Sequence, residues 1–439
     1  MPMHSLVRRI APQVAAVPVR LALALPGGEQ LGPANAEVTL RFSHWSSLAA
    51  LAAGRIGDIA GEVVEGRVRL EGSIRALMEA AVHLLARSPV AQAPRGMWEP
   101  LARLRSWAAH TRRRDARQIR FHYDAGDDFY ALWLDPHRVY SCAYFRHPGM
   151  SLAQAQEAKL DLICRKLMLR PGERFLDIGA GWGGLLLWAA RHYGVQAHGI
   201  TLSRHQQAHV SRLIAQQGLH GQVRIRLMDY RDLDEKEPYD KIASVGMFEH
   251  VGQARMGSYF HKIARLLRPG GLVMNHGITA GSTASRPLGA GLGDFIGRYI
   301  FPGGELLHVS RALRHLADAG LEMVDVENLR PHYARTLWAW SDALESRLDE
   351  ARSVLAIEQS GDRESAERVL RAYRLYLAGC AMSFEQGWMA LHQVVAARPS
   401  GQVRQGVLPG AQSDYPFCRD PIYAQTRCST NSSPRPPVT

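Results

Sequence analysis

Cysteine is scarce and unpatterned. The five cysteines, Cys142, Cys164, Cys380, Cys418 and Cys428, are scattered through 439 residues. No Cys-x-x-Cys pair suggests zinc, and an odd, dispersed set gives no disulfide framework, so a reduced cytosol is the expected compartment. Long apolar runs are missing too: no stretch approaches the ~20 residues that a membrane-spanning helix requires. Arg8 and Arg9 precede a short apolar segment, but Pro12, Pro18 and Arg20 break it too soon for a secretory signal. Acidic charge is the third shortage. Forty-one Asp and Glu face 53 Lys and Arg, leaving a net charge of +12, an imbalance that suits an anionic partner. The excess is concentrated at Arg103, Arg105, Arg112, Arg113, Arg114, Arg117 and Arg120, against the single acid Asp115. A solvated basic face is the plain reading of such a run. Trp98 and Trp107 nearby suit a lipid interface, and no nucleic-acid motif accompanies the arginines. An anionic membrane surface is therefore the expected partner, and nucleic acid is not.

What the chain does have is a glycine turn. Arg174-Phe175-Leu176-Asp177-Ile178 is a short apolar strand with an acid near its end, and Gly179, Gly181, Gly183 and Gly184 follow within six positions. A helix-forming run from Leu185 comes next. Strand, glycine turn and helix in that order form the nucleotide-binding opening of an α/β sheet. Further strands are expected at 195–201, 223–228, 239–245 and 272–275, separated by helical segments, with Ser203 a helix cap. The alternation implies a mostly parallel, doubly wound sheet. Residues 277–310 are glycine-rich and include Tyr299-Ile300-Phe301-Pro302-Gly303-Gly304, a candidate cover. Residues 337–397 read as mainly helical.

The expected organisation is a poorly ordered N-terminus (1–35), a small α+β unit (36–88), a basic linker (89–120), the catalytic domain (121–397) and a disordered tail (398–439). The fold class is thus α/β: a Rossmann-like sheet with helical and loop cover, plus a small N-terminal α+β domain.

The cofactor follows from another absence. A dinucleotide site carries an acid about 20 residues beyond its glycines, but that window holds Gly199-Ile200-Thr201-Leu202-Ser203. S-adenosylmethionine (SAM) has no pyrophosphate and carries a cationic amino group that Asp177 would suit. Asp229, at the end of the third strand, would accept from the adenine amino group. Asp177 could instead merely cap a helix, but its glycine setting favours SAM.

The composite of motifs resembles the cyclopropane-fatty-acyl-phospholipid synthases, relatives of the mycolic acid cyclopropane synthases. It includes Phe121-His122-Tyr123-Asp124, Asp128-Phe129-Tyr130, Tyr140-Ser141-Cys142-Ala143-Tyr144-Phe145, Gly181-Trp182-Gly183-Gly184, Ser244-Val245-Gly246-Met247-Phe248-Glu249-His250 and His332-Tyr333-Ala334-Arg335-Thr336-Leu337. The ordered matches cover roughly residues 115–395. Ala180 departs from the usual Cys at its position, and Arg231 follows Tyr230 where some relatives carry an acid.

The resemblance implies transfer of the SAM methyl to a cis double bond of a phospholipid acyl chain, followed by proton loss and ring closure. It implies a bicarbonate ion as base, held by Cys142, Glu249, His276, Tyr333 and the Ile278 backbone. For SAM it implies Tyr140, Ser141, Asp177, Gly179, Gly181, Thr201, Leu202 and Gln206, with Asp229 and Tyr230 beside the adenine. No metal is implied. The expected setting is the inner face of the membrane, peripherally bound, with a homodimer an open alternative. Two other readings stay open: a fatty-acid C-methyltransferase making methyl- or methylene-branched chains, and an inactive lipid-binding protein at the membrane surface.

Overall fold

The computed structural model describes residues 3–85, 87–90, 106, 110, 126–399 and 419–423. The arginine-rich run, Trp98, Trp107, the 121–124 motif, Cys418 and Cys428 lie outside the described residues.

The N-terminal segment is more regular than its composition suggests. Residues 1–35 were expected to be poorly ordered, yet helix α1 occupies Met3–Ala15. Leu6, Ile10 and Val14 recur every fourth residue on α1 and are buried, so an apolar stripe anchors a segment whose Ala and Pro content disguises it. Strands β1 (Leu21–Ala24), β2 (Gln30–Leu31), β3 (Val38–Phe42) and β4 (Val68–Gly72) form a sheet in the order β2-β1-β3-β4. Helices α2 (Trp45–Ala52), α3 (Ile56–Val64) and α4 (Ile74–Leu84) accompany it, and the Ser73 hydroxyl caps α4 by accepting from the Ala76 N–H at 3.2 Å. The N-terminal unit therefore begins near residue 3 and not at 36.

The second sheet follows a short helix α5 (Asp127–Ala131) and helix α6 (Leu152–Lys166), the latter opened by a Ser151–Gln154 capping box. Its first half alternates as the spacing predicts: β5 (Arg174–Ile178), α7 (Gly184–Tyr193), β6 (Gln196–Thr201), α8 (Arg204–Gln216), β7 (Val223–Leu227), β8 (Tyr239–Val245), α9 (Met256–Leu266) and β9 (Leu267–Ala280). Then come α10 (Leu292–Tyr299), α11 (Val309–Asp318), β10 (Glu322–Asn328), α12 (Arg330–Glu345), α13 (Leu348–Glu358), α14 (Arg363–Glu385), β11 (Met389–Ala397) and a short α15 (Asp420–Tyr423). The seven strands run β10-β11-β9-β8-β5-β6-β7. β11 lies antiparallel to both its neighbours, while the pairs from β9 to β7 are parallel.

Three strands of this sheet depart from the sequence reading, one of them β10 (Glu322–Asn328), where no strand was expected. The fifth strand is far longer than 272–275, and 389–397 is a strand where helix was expected. β11 is covered on both faces for most of its length, so it shows none of the alternation that marks a half-exposed strand.

The two sheets share one apolar core. Leu21, Leu40, Leu51 and Val63 of the N-terminal unit belong to the same buried cluster as Trp133, Leu337, Trp340 and Leu377. Polar contacts fix the joint. Arg75 pairs with Asp342 at 2.6 Å, and Glu65 accepts from Tyr299 at 2.7 Å and Arg368 at 2.8 Å. Gly57 admits no side chain, because a Cβ there would fall 2.1 Å from the Gly291 backbone. Leu377→Ala, in this shared core, should cost about 2–5 kcal/mol. Urea unfolding should remain a single transition at a lower midpoint, and two separated transitions would contradict a common core.

Candidate active site

Strand β5 delivers Asp177 to the edge of the glycine turn, where only 2% of its surface is exposed. Gly179, Gly181 and Gly183 all take positive φ, at 83°, 55° and 85°, a region that costs a residue with a Cβ about 1–2 kcal/mol. The turn stays low as a result, and a cavity of about 150 Å³ lies over it. Tyr140, Ser141, Asp177, Gly179, Gly181, Thr201, Leu202, Gln206 and Tyr230 all line this cavity.

Two observations suit SAM. Burial pushes the Asp177 carboxyl up to about 7 against the opposing pull of Lys159, so a ligand cation would find an acid poised to ionise. Thr201 donates to Gln206 Oε1 at 2.7 Å, while Gln206 Nε2 is buried with no hydrogen-bond partner among the described residues. Asp229 stands apart from the other expected residues. It is absent from the lining, and Arg231 clamps its carboxylate at 2.8 and 2.6 Å. An adenine amino group would have to compete with that guanidinium.

Lys159 was not anticipated. It sits on α6 among buried Ala155, Leu162 and Ile163, itself 1% exposed, and donates to Ser141 Oγ at 2.8 Å. Burial lowers its ammonium to about 8, opposed by Asp135, Cys142 and Asp177. The available signal was a lysine in the apolar phase of an otherwise regular helix.

A second cavity, of about 770 Å³, adjoins the first. Tyr140, Ser141, Gly246 and His250 line both. Cys142, Glu249, His276, Ile278 and Tyr333, which arrive from four separate segments, all line the larger one. The loop after β8 carries Glu249, and its Oε1 accepts from the Ile278 N–H of β9 at 2.7 Å. Ile278 therefore enters the set by positioning the carboxylate. Glu249 Oε2 is buried without a hydrogen-bond partner among the described residues, and burial raises this acid to about 7. Gln393 on β11 donates to His276 Nδ1 at 3.2 Å, which puts the ring proton on Nε2, also buried and unpartnered among the described residues. Burial, assisted by Lys159 and Lys166, holds His276 well below its usual range, so it is neutral.

The Cys142 thiol donates to the Ala143 carbonyl at 3.2 Å, and burial pushes it well up. It is a thiol and not a thiolate nucleophile. Aromatic rings complete the wall: Tyr140 donates to the Tyr376 hydroxyl at 3.0 Å, and Tyr333 packs against Phe384 with ring centroids 4.7 Å apart. The cavity thus pairs an apolar, π-rich interior with one unpartnered acid oxygen and one unpartnered N–H. Such an interior stabilises positive charge while excluding water.

The raised Glu249 carboxyl has a stability signature. Its folded value near 7 lies above the unfolded value of about 4.3, so its protonated form favours the fold below about 4.3, and that contribution is lost as pH rises through about 7. Relative to Glu249→Gln, the unsubstituted protein should lose of order 3 kcal/mol across that window. Comparing the two proteins by urea unfolding isolates Glu249, because Asp177 and His276 titrate in both. A pH-independent difference would contradict the buried-acid geometry.

Comparison with known proteins agrees with this geometry. The family described as mycolic acid cyclopropane synthetase matches residues 110–394. A probable fatty acid methyltransferase of Pseudomonas putida is 41% identical over 417 residues, covering 94% of this chain and 99% of its own. The cyclopropane mycolic acid synthase MmaA2 of Mycobacterium tuberculosis is 37% identical over 64% of this chain and 96% of its own. A crystal structure of the mycolic acid cyclopropane synthase CmaA1 complexed with SAH and CTAB superimposes with a TM-score of 0.58, at 36% identity over 64% of this chain and 97% of that one. A glycine turn that opens a methyltransferase sheet, a matched region from 110 to 394 and a full-length relative point one way: the chain belongs to the mycolic acid cyclopropane synthetase family of SAM-dependent methyltransferases.

Proposed function

We propose that this protein methylates a cis double bond in a phospholipid acyl chain and closes a cyclopropane ring by deprotonating the added methyl. The observation that carries the reading is the pair of unpartnered polar atoms, Glu249 Oε2 and His276 Nε2, on residues lining an apolar cavity that adjoins the candidate cofactor cavity. SAM would supply an electrophilic methyl, and bicarbonate a base. Asp177 would take the amino cation, with Gln206 Nε2 free to donate. Cys142, Glu249, His276, Ile278 and Tyr333 would surround the bicarbonate, His276 donating from Nε2 and Glu249 accepting at Oε2.

The acyl chain would give its π electrons to the methyl carbon while the carbon–sulfur bond breaks, its electron pair leaving with S-adenosylhomocysteine, and the other alkene carbon would become cationic. Tyr140, Tyr333 and Tyr376 present rings to that charge. One proton of the added methyl would pass to the bicarbonate, giving carbonic acid, and the C–H electron pair would form the third ring bond.

Phospholipid is favoured by the cavity's rim, where Arg286, Arg311 and His315 join the lining and suit an anionic headgroup. The net charge of +12 supports peripheral binding at the inner face of a membrane. Among the described residues, no helix is long and apolar enough to cross one. A second reading, methyl branching without a ring, is favoured by the description of the Pseudomonas putida relative as a probable fatty acid methyltransferase.

Expression in a host rich in monounsaturated lipid, followed by mass spectrometry and proton NMR of the fatty acids, separates the two. Ring closure adds one methylene per modified chain and gives high-field ring protons. A saturated methyl branch, heavier by a pair of hydrogens, would overturn it. A second test divides the two cavities. Asp177→Ala should weaken SAM binding by roughly tenfold or more, the worth of a charge-assisted hydrogen bond. Glu249→Gln should retain SAM affinity in calorimetry and lose most turnover. Equal loss of SAM affinity in both variants would contradict the division.

A further inference from the structure

The larger cavity does not end at the catalytic sheet. Leu21 of β1, Leu40 of β3, Leu51 of α2, Ile59 and Val63 of α3 and Leu84 of α4 all line it. Every lining residue from the N-terminal unit is apolar, whereas Cys142, Glu249 and His276 stand at the reaction centre and Arg286 is exposed at the rim. The family match begins at residue 110, so the lining residues of the N-terminal unit lie outside the matched region. This arm of the cavity opens into the core of the upstream unit.

We infer that the N-terminal unit is the stop against which the methyl end of the acyl chain rests, and that it selects substrates by the number of carbons beyond the double bond. The inference rests on the lipid reading above. Three features carry it. A purely aliphatic arm accepts a hydrocarbon terminus and rejects a carboxyl or phosphate, which would be buried there without a hydrogen bond. The basic rim suits the opposite, polar end, so the chain has one favoured direction. A ruler also needs a fixed length, and the wall is rigidly tied to the catalytic part. The Gly57 N–H donates to the Ala290 carbonyl at 2.9 Å, with no room for a side chain between α3 and the Gly291 backbone. Glu65 is held by Tyr299 and Arg368, and Arg75 by Asp342.

Ala60 on α3 and Ala81 on α4 are small, partly buried residues of the lining, so a larger side chain there enters the arm. Leu40 of β3, 2% exposed, belongs to the wall. The test uses the full-length protein, SAM and vesicles of phosphatidylethanolamine and phosphatidylglycerol. Two acyl chains of equal total length are supplied in competition, differing in how many carbons follow the double bond. Ala60→Phe and Ala81→Phe should shift the product ratio by about tenfold or more toward the chain with the shorter methyl side, and Leu40→Ala should shift it the other way. SAM affinity matching the unsubstituted protein identifies the folded variants. An unchanged ratio in variants that bind SAM and still methylate would overturn the stop. A ratio that follows the carboxyl side would overturn the assigned direction. If the unsubstituted protein modifies neither chain, the lipid reading fails and this inference fails with it.

Discussion

The joint on which the chamber depends is the hydrogen bond from the Ile278 N–H to Glu249 Oε1. It spans the space between the loop after β8 and the outer end of β9, and it fixes the carboxylate of a residue only 8% exposed. A buried acid held by one oxygen leaves its other oxygen directed at whatever fills the cavity, and the low dielectric strengthens any contact made there. Without that tether, Glu249 would find water or another donor, and the chamber would lose the group that distinguishes it from a simple apolar hole. His276 reaches the same wall from β9, two residues earlier on the strand and therefore on the same face as Ile278.

Desolvation explains the electrostatic pattern more economically than any pair of charges. Asp177 and Glu249 are both pushed toward neutrality by burial, Lys159 is pushed the same way from the other side, and His276 is held neutral. Under the proposed reaction, a pocket that receives a sulfonium and develops a carbocation would gain from this arrangement. Its own groups carry little fixed charge until a ligand arrives, so the ligand's charge decides which of them ionise. The rings of Tyr140, Tyr333 and Tyr376 in the wall would add cation–π stabilisation to that charge.

Much of this architecture was legible in the residues. The glycine turn, the five parallel strands and the Ser73 and Ser203 caps follow from local rules, because each depends on neighbours close in sequence. The gathering of Cys142, Glu249, His276, Ile278 and Tyr333 was available only through family resemblance, since nothing local tells Cys142 that Tyr333 will face the same space. Of the features that escaped, four are instructive. α1 was hidden because its apolar stripe is diluted by alanine and proline. β11 was hidden because burial on both faces erases periodicity. The Arg231 clamp on Asp229 depends on a side-chain conformation, and Lys159 on the unusual burial of a residue type that normally seeks water. These failures share a cause: tertiary packing overrides the local pattern.

The position of β11 bears on how the protein is made. This last strand of the sheet inserts between β9 and β10, and its Gln393 is the partner that sets the tautomer of His276. The N-terminal unit, synthesised first, likewise shares its core with α14, which comes some three hundred residues later. Neither the chamber nor its apolar arm can be completed before residues 389–397 have been made. Residues at opposite ends must meet before either is covered, which is the slow, high-contact-order regime of folding. During that interval a large apolar surface stands open, so a wall shared between distant parts of the chain makes the nascent protein dependent on protection until its final strand is in place.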